Sequence, residues 1–125
     1  MSVNKVILVG NVGSDPQISY IDSRPLATFS LATNEPAPLL PNGQRGPERT
    51  EWHRIVMWGP AAETAERYIS RGTKLYVEGK LRTRVWEDRN TIKHQVTEIY
   101  VDTFDILSRP RQAASPGQQQ TQAPA

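Results

Sequence analysis

From Leu75 to Trp86 the chain repeats with a period of two: Leu75, Val77, Gly79, Leu81, Thr83 and Val85 take one parity, and Lys80, Arg82, Arg84 and Trp86 the other. An extended strand sends successive side chains to opposite faces. The segment therefore predicts a strand with one side toward a core and the other a row of cations ending in an indole. Thr50 to Trp58 follows the same rule, with Trp52, Arg54, Val56 and Trp58 on one face and His53, Ile55 and Met57 on the other. Whatever this chain folds into has to contain a β-sheet that is apolar inside and gathers Arg and Trp outside.

The remaining segments fit around these two strands. Val3 to Val12 reads as a first strand, and its run Val6-Ile7-Leu8-Val9 has no polar face, which predicts cover on both sides, the second cover in so small a domain being another subunit. Gln17 to Ile21 reads as a short continuation, Asp22-Ser23-Arg24 as a turn and Leu26 to Thr33 as a second strand. Glu35 to Arg49 holds Pro36, Pro38, Pro41, Pro47 and Asn42-Gly43, the composition of a long loop or projecting hairpin. After the third strand, Gly59-Pro60 opens the one convincing helix, with Ala61, Ala65, Tyr68 and Ile69 at helical spacing and Gly72 expected at the C′ position. Thr73 to Trp86 is the fourth strand, Glu87 to Thr91 a polar turn and Ile92 to Leu107 the fifth strand. Three strands, a helix and two strands is the element order of an OB-fold. The expected class is all-β, a five-stranded Greek-key barrel with one short helix between strands 3 and 4. It would occupy residues 1–107. From Ser108 the chain is Pro, Gln, Ala and Ser without periodicity, so residues 108–125 are expected to be a disordered tail.

Composition excludes more than it assigns. The formal charge of +2 comes from the tail alone, because residues 1–107 carry equal numbers of basic and acidic groups, so local placement of charge has to carry any argument about partners. Without cysteine there is no disulfide framework, thiolate nucleophile or cysteine-liganded metal, which suits a reducing compartment. The longest apolar run, Val6 to Val9, is far too short to span a bilayer, and neither an apolar signal core nor an Arg-rich leader precedes it; a cytoplasmic protein without a membrane partner is expected. His53 and His94 are the only histidines, too separated for a zinc site, and no Ser/His/Asp set or paired carboxylates stand out. No metal, cofactor or catalytic residue is expected, and the chain does not read as an enzyme.

Alternating indoles and guanidiniums suit unpaired nucleic acid. A single strand exposes base faces, and stacking on an aromatic ring is worth about 1–3 kcal/mol per base whatever the base. Arginine adds a planar cation that pairs with phosphate oxygens and also stacks. Trp52, Trp58 and Trp86 are thus candidate stacking platforms, and Arg54, Arg82 and Arg84 candidate phosphate contacts. Arg45, Arg49, Arg71 and Lys74 are further basic positions within reach of phosphates. Blander roles compete with each of these: a tryptophan in a small β domain also serves as core, a charged strand end as a solvated edge, and scattered cations as solubility. His53, on the apolar side of its strand, reads as a hydrogen-bonded interface or core residue.

Beyond these patterns, the chain resembles the bacterial and mitochondrial single-stranded-DNA-binding protein family. The resemblance runs through Asn4-Lys5-Val6-Ile7-Leu8-Val9-Gly10-Asn11, Asp15-Pro16, Leu31-Ala32-Thr33, Thr50-Glu51-Trp52-His53-Arg54, Gly72 and Tyr76-Val77-Glu78-Gly79-Lys80-Leu81-Arg82-Thr83-Arg84, ending in Trp86. It implies a homotetramer of OB-folds that wraps and protects single-stranded DNA during replication, recombination and repair. Carried over position by position, Trp52, Trp58 and Trp86 match stacking sites, Arg54, Arg71, Arg82 and Arg84 match DNA-contacting positions, and His53 matches a subunit-interface histidine. Val6 and Leu8 join His53 as expected contributors to the subunit contact. Ala37 stands where many bacterial relatives have a further stacking tryptophan. The sequence ends in Gln-Thr-Gln-Ala-Pro-Ala where the family has an acidic tip that recruits replication and repair proteins, which leaves docking of such partners open. An OB-fold adaptor working through protein contacts, or an RNA-binding module sharing the same stacking chemistry, stays compatible with the residues.

Overall fold

The computed structural model describes residues 1–110. Its elements are β1 (Val6–Val12), β2 (Gln17–Ile21), β3 (Arg24–Glu35), β4 (Arg49–Trp58), α1 (Pro60–Tyr68), β5 (Lys74–Glu87) and β6 (Lys93–Ser108). Ser108 ends β6, so the strand runs one residue past the expected domain boundary, and most of the expected tail, from 111 onward, lies outside the described residues.

The strands form one sheet in the order β1-β5-β6-β4-β3-β2, and a pairing of β1 with β3 closes it into a barrel. Neighbours are antiparallel except β4 and β6, which run parallel with Ile55 opposite Ile99 and Val56 opposite Tyr100. β2 continues β1 along one edge of β3: β1 meets Leu31 and Ala32, and β2 pairs from Gln17 opposite Thr28 to Ile21 opposite Arg24. The structure therefore counts six strands where the sequence treats β1 and β2 as one bent wall. Asp22 and Ser23, both with positive φ (52° and 67°), make the two-residue turn whose twist matches a hairpin. The proline-rich segment is a projecting hairpin: β3 and β4 stay paired out to Glu35 opposite Arg49, and a bridge between Leu39 and Arg45 extends the ladder.

Inward residues of the barrel walls, among them Val12, Ala27, Phe29, Leu31, Ile55, Met57, Leu75, Val77 and Ile99, form the core. The helix closes one end with Ala62, Ala65 and Ile69, while Tyr68, expected on the helical apolar stripe, is exposed. Pro60 occupies the first turn, where its missing N–H costs nothing. Gly72 is not the helix C′ residue. The helix stops at Ile69, which is already extended, and Gly72 takes its positive φ (95°) in the next turn, where Thr73 N–H donates to the Ser70 carbonyl.

One expectation about strand faces is corrected. Leu75, Val77 and Gly79 are buried, but Leu81, Thr83 and Val85 on the same parity are exposed, Leu81 at 49% and Val85 at 56%. The barrel closes near Gly79, where an added Cβ would sit 2.2 Å from the Tyr100 carbonyl oxygen, and beyond that crossing the β5–β6 hairpin has no core behind it among the described residues. In β1, Val6 and Leu8 are the inward residues, partly buried against the core, while Ile7 and Val9 point outward and are exposed. Among the described residues β1 is covered on one side only.

Candidate nucleic-acid interface

The outer side of the barrel collects side chains from five strands. On β4, Trp52, Arg54, Val56 and Trp58 lie opposite Ala32, Ser30, Thr28 and Leu26 of β3. β5 presents Lys80, Arg82, Arg84 and Trp86 opposite Tyr100, Glu98, Val96 and His94 of β6. The two segments singled out in the sequence are not neighbours; β6 lies between them and joins them. Trp52, Arg54, Trp58, Arg82, Arg84 and Trp86 are therefore brought to one surface.

Trp52 stands at one end, 59% exposed, beside a cleft of about 330 Å³ lined by Ser14, Asp15, Gln17, Thr28, Ser30 and Arg54. Its ring passes so close to Gly13 that a Cβ there would lie 2.3 Å from Cζ3, so only glycine lets the indole settle in this position. Trp58 is half-buried. The Arg24 guanidinium sits 5.1 Å from its ring centroid, and it borders a second cleft of about 240 Å³ with Val56, Glu98 and Tyr100. Trp86, on the projecting hairpin, stacks on His94 with centroids 4.5 Å apart and an interplanar angle of 21°. One face of Trp86 is thus taken, and the residue as a whole is 45% exposed. His94 Nε2 donates to Asp88 Oδ2 at 2.8 Å, and this bond, with further donation from the Ile92 and Asn90 N–H groups, holds the Asp88 carboxyl below the usual carboxylate range. The turn therefore orients the ring that backs Trp86.

The basic residues divide into two kinds. Arg82 lies over the Tyr100 ring at 4.9 Å, with no carboxylate partner among the described residues. Arg54 and Arg84 both donate to Glu98, from Arg54 Nε at 2.6 Å and from Arg84 Nη2 and Nε at 3.2 and 3.3 Å. Burial pushes the Glu98 carboxyl up, but the hydrogen bonds and charges of the two guanidiniums outweigh it and hold the group below the usual range. Lys80 reaches Asp102 at 3.7 Å.

Other expected residues sit elsewhere. Arg71 lies in the turn after the helix, off the strand array, its backbone N–H donating at 2.8 Å to Oδ1 of Asp15, a residue that lines the Trp52 cleft. Arg45 donates to the Ala37 carbonyl at 3.2 Å inside the projecting hairpin, and Arg49 stands at that hairpin's base opposite Glu35. His53 keeps the parity of Ile55 and Met57, is half-buried at the Trp52 cleft and lies with Nε2 2.9 Å from Thr33 Oγ1. Among the described residues no cluster of His, Asp and Glu is arranged to hold a metal ion.

Sequence reasoning missed Glu98, Tyr100, Arg24 and His94 as parts of this surface. Parity was the available signal for three of them: Val96, Glu98 and Tyr100 alternate with Thr97, Ile99 and Val101 along β6, and His94 keeps the same parity. Arg24 carried no such signal, because the turn before β3 sets where it lands.

A closed barrel of five walls with a helix between its third and fourth walls and an aromatic, basic outer face is an OB-fold of the oligonucleotide-binding kind. A model of the single-strand binding protein family matches residues 3–107. The chain is 50% identical over 109 residues to the single-stranded DNA-binding protein of Bacteroides thetaiotaomicron, an alignment covering 86% of this chain and 68% of the relative. Among solved structures, the Plasmodium falciparum SSB in complex with ssDNA superposes with a TM-score of 0.74 at 36% identity, over 84% of this chain and 93% of that one. This chain belongs to the single-strand binding protein family.

Proposed function

We propose that this protein binds and protects single-stranded DNA without strong sequence preference, in replication, recombination and repair, by stacking bases on Trp52, Trp58 and Trp86 while arginines of the same surface contact phosphates. The observation that carries this reading is the convergence of all three indoles and of Arg54, Arg82 and Arg84 on one open side of the barrel. Stacking makes no demand on base identity, and guanidinium–phosphate pairing makes none on sequence. Membership of the family and likeness to a relative solved with ssDNA support the same reading. Nothing in it requires catalysis, and we infer that the protein acts by binding alone. We further infer a cytoplasmic protein associated with the nucleoid, and a binding domain over residues 1–107.

The assembly we infer is a homotetramer. Ile7 and Val9 expose apolar side chains on β1, and from Val6 to Gly10 that strand has β5 on one edge and, among the described residues, no partner on the other. An open edge with an apolar outer row is the kind of surface a second copy covers. Val6 and Leu8 would then support the contact from the inside. Sedimentation at micromolar concentration tests this, and a monomer would reject it.

Intrinsic tryptophan fluorescence titrated with oligothymidylate at two salt concentrations tests the binding reading. Quenching that saturates, and weakens as salt rises, is expected; an unquenched signal at low salt would overturn it. Competition between matched DNA and RNA oligomers separates a DNA binder from an RNA-binding module, and loss of all oligonucleotide binding would favour an adaptor.

A further inference from the structure

Two of the arginines assigned to phosphate already hold a carboxylate. The Glu98 side chain is 3% exposed and lies beneath Arg54 and Arg84, whose own side chains are each 47% exposed. Three N–H groups point down at its two oxygens, from Arg54 Nε and from Arg84 Nε and Nη2. The remaining guanidinium N–H groups are those left to meet a ligand. A phosphate arriving at this surface meets two cations and one fixed anion. Because that anion is buried in the wall between β4 and β5, salt screens it far less than it screens an exposed charge. Nor can a phosphate displace it, since β6 anchors it opposite Arg82. Arg82, two residues from Arg84 on the same face, has no such partner among the described residues and serves as an internal reference.

We propose that Glu98 is a built-in competitor for phosphate: by occupying the inner edges of Arg54 and Arg84 it limits this pair to one net positive charge, and so keeps single-strand affinity and its salt dependence below what two free arginines would give. This rests on the single-stranded DNA reading above. The carboxylate also fixes both guanidiniums in place, so the pair offers an oriented but half-neutralised phosphate site.

The test is the slope of log affinity against log salt for oligothymidylate, measured by tryptophan quenching on the full chain. In Glu98→Gln the amide oxygen still accepts a hydrogen bond but the charge is gone. The slope should steepen by about 0.7, the value of one more phosphate neutralised on a single strand, and binding at low salt should tighten several-fold. An unchanged slope, with affinity equal or weaker, would overturn the proposal and leave Glu98 a purely positioning residue. Should circular dichroism show that this variant does not fold, the double variant Arg84→Gln with Glu98→Gln removes a pair of zero net charge and leaves Arg54 as the one net positive charge, as in the wild type. Its affinity should fall while its slope stays at the wild-type value; a slope shallower by about 0.7 would mean Arg84 acts as a full, uncompensated contact and would overturn the proposal. If the wild-type protein itself fails to bind oligothymidylate, the failure lies with the proposed function rather than with Glu98.

Discussion

The β4 wall and the β5–β6 hairpin carry the same alternation of aromatic and cationic residues, yet they stand in different surroundings. Behind Trp52, Arg54 and Trp58 lie Ile55 and Met57, both fully buried, so that half of the surface is the outside of a packed core. Behind Arg82, Arg84 and Trp86 lie Leu81, Thr83 and Val85, all exposed, so that half is a two-stranded arm in solvent. A period of two announces a strand with two different faces. It does not announce that one of them is buried. The wall holds its ligand groups by packing; the arm holds them by cross-strand contacts such as Trp86 on His94 and Arg82 over Tyr100.

The sharpest way to break this contrast is to remove apolar bulk from each side. Ile55→Ala should cost about 2–5 kcal/mol of stability, because it leaves a cavity in a filled interior. Val85→Ala, on the corresponding face of the arm, should stay within about 0.5 kcal/mol. Chemical denaturation of the two variants decides the matter, and equal losses would mean the arm packs against something in solution. Next in size is binding. Trp52→Ala should weaken binding to homopolymers of every base by about 1–3 kcal/mol per lost stack. Trp86→Ala should do the same while leaving the thermal midpoint nearly untouched, and an unaltered titration curve for either variant would remove that ring from the interface.

Acid should act through the junction of the two regions. Since the Glu98 carboxyl is held lower in the folded chain than in the unfolded one, its contribution to stability is complete above the ordinary carboxylate range and is lost as pH falls through its folded value. Wild type should therefore lose thermal stability more steeply than Glu98→Gln over this acid range; parallel curves would show that the ion pairs contribute nothing net. The smallest expected effect is on the arm: Arg82→Ala should make the salt slope shallower by about 0.7, and an unaltered slope would make Arg82 a bystander.

Much of this was legible beforehand because strand parity is local. Trp52, Arg54 and Trp58 share a face, as do Arg82, Arg84 and Trp86, for reasons contained in ten residues of chain each. Element order was legible for the same reason, down to Pro60 in the first turn of the helix. What stayed hidden involves residues far apart in the chain. Gly72 follows a helical pattern in the sequence, yet its positive φ serves a turn that hands the chain to β5. Val6 and Leu8 could not be told from Ile7 and Val9 in a run with no polar residue; only pairing with β5, Val6 opposite Gly79 and Leu8 opposite Val77, turns the first pair inward.

The amino-acid sequence by itself determined which side chains share a strand face, because backbone geometry alternates them whatever the rest of the chain does. Tertiary structure alone decided that β6 would run between β4 and β5, setting Glu98 under Arg54 and Arg84 and making two separate aromatic and basic strips into one surface. Which strands become neighbours depends on closing the barrel around a common core, and that is a property of the whole chain rather than of any segment in it.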